Sequence, residues 1–245
     1  MERATSGIDT RRSRSMESVE FPHSVTVANP SRALLTEPPP DSAADSALYY
    51  ESLYDAAEGD TDRLPWGHTE PNPSLVAWLN HVAPGVVRPG GRVVVVGCGL
   101  GEEVAELEAR GYDATGFDVS PSAVKWAQRL TPRISDRFRV ADLFALPTTM
   151  THRFDLAIDI DTLCCLNPAL RERAAASITS LTKPHGVVLS ISAGCDPGAH
   201  EDGALCAPSL TGLMALGGMQ PAGTIDDYYC NRECRRRIRG AFRRA

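Results

Sequence analysis

The segment RVVVVGCGLGEE at 92–103 constrains the fold more than any other part of the chain. Its unbroken β-branched run is the pattern of a strand buried on both faces, as occurs when helices cover both sides of a parallel sheet. Gly97, Gly99 and Gly101 follow at once and lead into an amphipathic helical stretch that closes at Gly111. Glycines at such a turn let the backbone bend tightly and approach a ligand, while free helix N–H groups point at it. The spacing is G-x-G-x-G rather than G-x-G-x-x-G, and Glu102 and Glu103 open the helix. Two acids there would repel a pyrophosphate, so a cationic or zwitterionic ligand fits better than a dinucleotide.

Strand and helix patterns then alternate. DATGFDV (113–119) reads as a strand, and PSAVKWAQRL (121–130) as a helix with Ser120 as its cap and Pro121 in its first turn. RFRVAD (137–142), FDLAIDI (154–160) and GVVLSIS (186–192) read as strands, with a helix over 170–182 between the last two. A further helix over 208–218 precedes two closing strands, QPAGTIDDYYC and RRRIRGAFRR. This order implies an α/β fold: a doubly wound, mostly parallel seven-stranded sheet with helices on both faces. Its ligand belongs beyond the carboxyl ends of the strands, where the strand order reverses.

Before the first strand, ALYYESLYDAAEG carries aromatics at helical spacing, DTDRLPWGHTEPNP reads as a loop, and SLVAWLNHVAP as a second helix. Residues 1–45 are rich in Ser, Pro, Arg, Ala and Glu, with few large apolar side chains to offset the entropy of ordering. The expected organisation is a disordered tail over 1–45 and one domain over 46–245.

Composition narrows the function classes. No run approaches the ~18 apolar residues of a membrane helix, and the first residues lack the apolar core of a secretory signal. Seven scattered cysteines suggest reduced thiols and a cytoplasmic setting. Cys164 and Cys165 read as core residues, and Cys230 and Cys234 lack the second pair that a zinc site needs, so no metal is expected. The net charge is −6, although residues 232–244 hold seven arginines against one acid, Glu233. An acidic body argues against a nucleic-acid-coating protein. The arginine-rich end reads as a solvated strand, with docking of RNA or an anionic ligand as the alternative.

Acids fall at successive strand ends. Asp118 stands where a carboxylate can accept both hydroxyls of a ribose. The alternative is a capping acid beside Ser120. Asp142 and Leu143 follow the next strand, where a side chain can take an adenine amino group; the alternative is a turn aspartate. Asp159 lies inside a strand pattern, where a charge needs a reason. His68, in the loop after Trp66, is either a proton acceptor or a surface residue.

Together the G-x-G-x-G loop, the acid after the second strand, the Asp-Leu pair and FDL with its two aspartates resemble the class I S-adenosylmethionine-dependent methyltransferases, over roughly 50–244. YYESLYDAAEGDTDRLPWG is similar to the N-terminal segment of the thiol and thiopurine methyltransferases. FDLAIDIDTLCCLNPALR matches that family with Cys164, Pro168 and Arg171 in register, and CRRRIRGAFRR resembles its basic final strand. The sequence departs by carrying tyrosines at 50 and 54 for tryptophans, by extra residues before Trp66, and by Asp161 in place of a neutral residue.

The resemblance implies S-adenosylmethionine as cofactor, contacted by Tyr50, Tyr54, Trp66, Gly97, Gly99, Gly101, Asp118, Asp142, Leu143 and Asp159. It implies methyl transfer to a small-molecule nucleophile, a thiol among the candidates, with Asp161 and His68 as candidate bases. The aromatic segment is expected to close over the methionine end of the cofactor. Two other readings stay open: a non-catalytic cofactor-binding regulator, and an RNA or protein methyltransferase docking through its basic end.

Overall fold

The computed structural model describes residues 39–194, 205, 207–230 and 235–244. Most of the expected tail, 1–38, lies outside the described residues. The first helix, α1, spans Ala43–Ala57. It starts ahead of residue 46 because Ser42 caps it, its side chain accepting from the Asp45 N–H. Helix α2 (Pro73–His81) follows a loop and is capped by Asn72, with Pro73 in its first turn.

The alternating core then runs β1 (Arg92–Val96), α3 (Glu102–Ala109), β2 (Asp113–Asp118), α4 (Pro121–Leu130), β3 (Phe138–Val140) and β4 (Phe154–Ile160). Two helices, α5 (Thr162–Cys165) and α6 (Pro168–Leu181), lead to β5 (Thr182–Ala193). Helix α7 (Ala207–Leu216) and strands β6 (Met219–Pro221), β7 (Asp226–Cys230) and β8 (Arg235–Arg244) complete the described chain.

The sheet order is β3-β2-β1-β4-β5-β8-β6, with β7 also paired to β8. The first five strands run parallel, and β8 pairs antiparallel to β5. The sheet thus has eight strands among the described residues, where seven were expected. The closing segment QPAGTIDDYYC is broken in two. Pro221 lacks an N–H for the ladder and Gly223 sits at φ +148°, so β6 and β7 pair separately with β8.

Strand periodicity divides the core. Val93 and Val95 face an apolar layer with Leu75, Trp78, Leu107 and Val124; Val94 and Val96 face another with Ile178, Leu181, Leu210 and Met214. All four valines are at most 2% exposed, and each contributes roughly 1.5–3 kcal/mol by burial. Among the described residues no helix is long and apolar enough to cross a membrane.

Five arginines of β8 have partners. Arg236 pairs with Asp227 at 2.6 Å, Arg237 with Asp161 at 2.7 Å and Arg239 with Asp226 at 2.5 Å. Arg243 and Arg244 donate to the carbonyls of His185 and Thr179. The expected solvated strand is therefore a partnered, half-buried one.

Candidate functional site

The strand order reverses between β1 and β4, and a cavity of 1160 Å³ opens beyond their carboxyl ends. The glycine loop forms its floor. Gly97, Gly99 and Gly101 all sit at positive φ, +59°, +50° and +90°, which glycine adopts without strain. At Gly99 a Cβ would stand 3.0 Å from the Tyr54 hydroxyl, inside the cavity. Gly101 does not line the cavity. A Cβ there would stand 2.5 Å from the Phe138 ring, so this glycine serves helix-to-strand packing rather than ligand contact.

Asp118, at the end of β2, lines the cavity and is 6% exposed. One carboxylate oxygen accepts from the Gly99 N–H at 3.0 Å, the other from the Ser120 N–H at 2.9 Å. Burial pushes its pKa up, and these two bonds act against that shift. Each oxygen keeps lone-pair capacity for a further donor. Asp142 and Leu143 also line the cavity, and Asp142 accepts from the Phe144 N–H at 2.8 Å.

The aromatic cover is assembled from α1 and its loop. Trp66 Nε1 donates to the Tyr54 hydroxyl at 2.8 Å, and the Tyr50 and Tyr54 ring centroids lie 5.9 and 5.8 Å from that of Trp66. The Tyr50 hydroxyl donates to the Cys165 carbonyl at 2.6 Å, closing the cover onto α5. Burial raises the pKa of both tyrosines, so their phenols stay protonated donors.

Asp159 and Asp161 take different places. Asp159 is 0% exposed and is not part of the cavity wall. It accepts from the Ser190 hydroxyl at 2.6 Å and the Leu163 N–H at 3.1 Å, fixing the β4–α5 turn. Burial pushes it up to about 6. This expected ligand contact is thus a structural acid behind the wall. Asp161 does line the cavity, but Arg237 Nη1 donates to its oxygens at 2.7 and 2.8 Å, and the Ala193 N–H adds a bond at 3.1 Å. His68 lies exposed on the cavity rim. Cys164 is buried as expected, whereas Cys165 is exposed and lines the cavity. Among the described residues no group of three or more His, Cys, Asp or Glu could hold a metal ion.

The acids that open α3 also reach this site. Glu103 accepts from the Asn72 N–H at 3.1 Å, tying the loop before α2 to the glycine turn. Burial, with the neighbouring Glu103 charge, pushes Glu102 up to about 8. An unfolded chain ionises Glu102 near its ordinary value of 4.5, so between that value and about 8 the folded chain holds a proton the unfolded chain has released. Stability therefore declines as pH rises through this window. Glu102→Gln should flatten the decline, leaving stability unchanged at the acid end and raised at the alkaline end. Thermal melts of both proteins across the window check this; parallel curves would refute it.

The model of the thiopurine S-methyltransferase family matches residues 58–209. The chain belongs to that family. Its members depend on S-adenosylmethionine. A probable thiol methyltransferase 2 of Arabidopsis thaliana is 28% identical over 134 residues, 52% of this chain and 55% of the relative. Thiocyanate methyltransferase 1 of the same plant is 28% identical over 130 residues, with the same coverage. The chain thus spans about half the length of these curated relatives.

Solved structures agree on the fold. The 1,6-didemethyltoxoflavin-N1-methyltransferase of Burkholderia thailandensis, crystallised with its namesake ligand and S-adenosylhomocysteine, superposes with a TM-score of 0.66 at 20% identity, covering 92% of this chain and 100% of that one. The magnesium protoporphyrin IX methyltransferase of Synechocystis PCC 6803, with bound S-adenosylmethionine, gives 0.62 at 18% identity, covering 81% and 97%. The thiopurine S-methyltransferase family member described here therefore has the Rossmann-like fold of class I methyltransferases.

Two contributors to the site escape sequence reasoning. Glu51 bonds Ser120 and Ser122, and Arg237 bonds Asp161, across separations of 69 and 76 residues for the Ser120 and Asp161 contacts. Neither has a local signal: Arg237 is fully buried although Ile238 and Phe242, on the opposite alternate positions, carry the buried phase of β8.

Proposed function

We propose that this chain transfers a methyl group from S-adenosylmethionine to a small-molecule nucleophile, with a thiol as the leading acceptor class. The observation that carries this reading is the convergence of three features on one cavity: the glycine loop, Asp118 with acceptor capacity remaining, and the Tyr50–Tyr54–Trp66 cluster. These residues fit the cofactor. The Asp118 oxygens would accept the ribose hydroxyls, and Asp142 with Leu143 would hold the adenine. The aromatic faces would attract the sulfonium, a contribution of roughly 0.5–2 kcal/mol per favourable cation–π contact.

When bound, S-adenosylmethionine supplies a methyl group on a cationic sulfur, open to in-line displacement. The protein's share is alignment and exclusion of water. Tyr50, Trp66, Ile160 and Leu166 give the acceptor end an apolar wall. A thiol reacts as its thiolate. His68, on the rim, would take that proton, while Asp161 is held by Arg237 and would shape the wall. The names of the plant relatives, thiol and thiocyanate methyltransferases, accord with a sulfur acceptor. Reduced thiols at Cys98, Cys164 and Cys165 accord with a cytoplasmic setting.

The test is a radiolabelled-methyl assay over thiols, amines and halides with the wild type and Trp66→Ala. Trp66→Ala should lower kcat about tenfold while changing cofactor affinity less, because cover closure mainly positions the acceptor. Cofactor quenching of tryptophan fluorescence should vanish with it, since Trp78 and Trp126 are only 3% and 5% exposed in the core. Transfer to no acceptor despite cofactor binding would favour a non-catalytic regulator.

A further inference from the structure

Glu51 does not line the cavity, unlike Tyr50 and Tyr54 on the same helix, and no step of the chemistry needs it. Its carboxylate nevertheless collects three hydrogen bonds at the N-terminus of α4. The Ser120 hydroxyl donates to it at 2.5 Å, the Ser122 N–H at 3.1 Å and the Ser122 hydroxyl at 2.8 Å. Burial opposes the ionised form, but these donors outweigh it and hold the Glu51 carboxyl below the usual range.

Ser120 is the shared member. Its hydroxyl donates to Glu51 and accepts from the Ala123 N–H at 3.0 Å, capping α4. Its own N–H donates to Asp118 at 2.9 Å. A continuous chain thus runs from the cover helix through Ser120 to the acid on the cavity floor. The cover is also fastened to α5 and α6, by Tyr50 to the Cys165 carbonyl and by Asn167 Nδ2 to the Pro39 carbonyl at 3.1 Å.

We infer that Glu51 is a positioning residue: it latches the aromatic cover onto the β2–α4 turn and couples docking of the cover to the geometry of Asp118, and so to cofactor binding. The inference rests on the cofactor reading above. It separates Tyr50 and Tyr54, which face the cavity, from the residue that holds their helix in place. Two neighbours on one helix therefore do different work.

The experiment measures S-adenosylhomocysteine affinity by calorimetry, and hydrogen exchange over 43–57 with and without that ligand, on the full chain. Glu51→Ala should weaken binding about tenfold and abolish the ligand-induced protection of 43–57. Glu51→Gln should stay within about fivefold of wild type, losing only the charge at the helix N-terminus. Its amide oxygen can still accept from Ser120 and the Ser122 N–H, and its NH₂ can donate to the Ser122 hydroxyl. Ser122→Ala should weaken binding severalfold alone and add nothing to Glu51→Ala, because the two share one interaction.

Wild type that does not bind the ligand would overturn the cofactor reading itself. Wild-type binding with unchanged affinity or unchanged exchange in Glu51→Ala would overturn the latch alone, as would a Gln variant as weak as Ala. If Glu51→Ala does not fold, Ser122→Ala decides by the same two readouts.

Discussion

Asp161→Ala should lower stability by about 3 kcal/mol and the melting temperature by about 6–12 °C. The reason is Arg237. Its side chain is 0% exposed, and its Nη1 donates to both Asp161 oxygens at 2.7 and 2.8 Å. Removing one partner of such a pair takes the Asp161 carboxylate away from a buried guanidinium, a kind of loss that typically costs ~3–5 kcal/mol. The low end applies because the Asp161 side chain keeps 23% of its exposure. Replacing both residues, Asp161→Ala with Arg237→Met, should recover much of the loss, since an apolar pair has no charge to desolvate. Urea denaturation of the two variants and the wild type checks this. A proton acceptor at Asp161 would give the opposite pattern: an unchanged midpoint and a collapse of kcat alone. The pair also explains why an acid is tolerated at this position. The charge arrives with a partner on β8.

What the sequence made legible was local. The run Val93–Val96 dictates a doubly buried strand, and its side chains divide between the two apolar layers as a period of two requires. Asp118, Asp142 and Trp66 could be placed because each sits in a short pattern tied to a strand end or to a Pro-Trp loop. Roles set by long-range partners were not legible. Asp159 looks like a ligand acid until β5 brings Ser190 against it. Gly101 looks like part of the ligand loop until β3 lays Phe138 over it. The arginines of β8 look solvated until Asp161, Asp226 and Asp227 are folded against them. Each case turns on a partner from another element, which no local periodicity encodes. The split of the final hairpin into β6 and β7 is different. Pro221 and Gly223 were visible breakers, and their effect on the ladder followed from ordinary turn chemistry.

The largest effect on ligand binding is expected at Asp118. Asp118→Ala should weaken cofactor affinity about a hundredfold, because hydrogen bonds to a charged group contribute roughly 1.5–3 kcal/mol and the variant also leaves two backbone donors unanswered. Those donors are the N–H groups of Gly99 and Ser120, which bind opposite oxygens of the carboxylate. This arrangement makes asparagine a poor substitute. Whichever way the amide is turned, its NH₂ group faces one of the two backbone N–H groups, and two donors cannot pair. Asp118→Asn should therefore bind nearly as weakly as Asp118→Ala, although it keeps the volume of the side chain. A residue that only braced the β2–α4 turn would show the asparagine mismatch in the melting temperature and not in the affinity of the folded protein, since the cap of α4 is Ser120. Calorimetry with S-adenosylhomocysteine on both variants separates the two roles, and melting curves show whether the turn survives. Near-wild-type affinity in Asp118→Asn would remove the carboxylate from the binding site and leave it as a brace between the glycine loop and the β2–α4 turn.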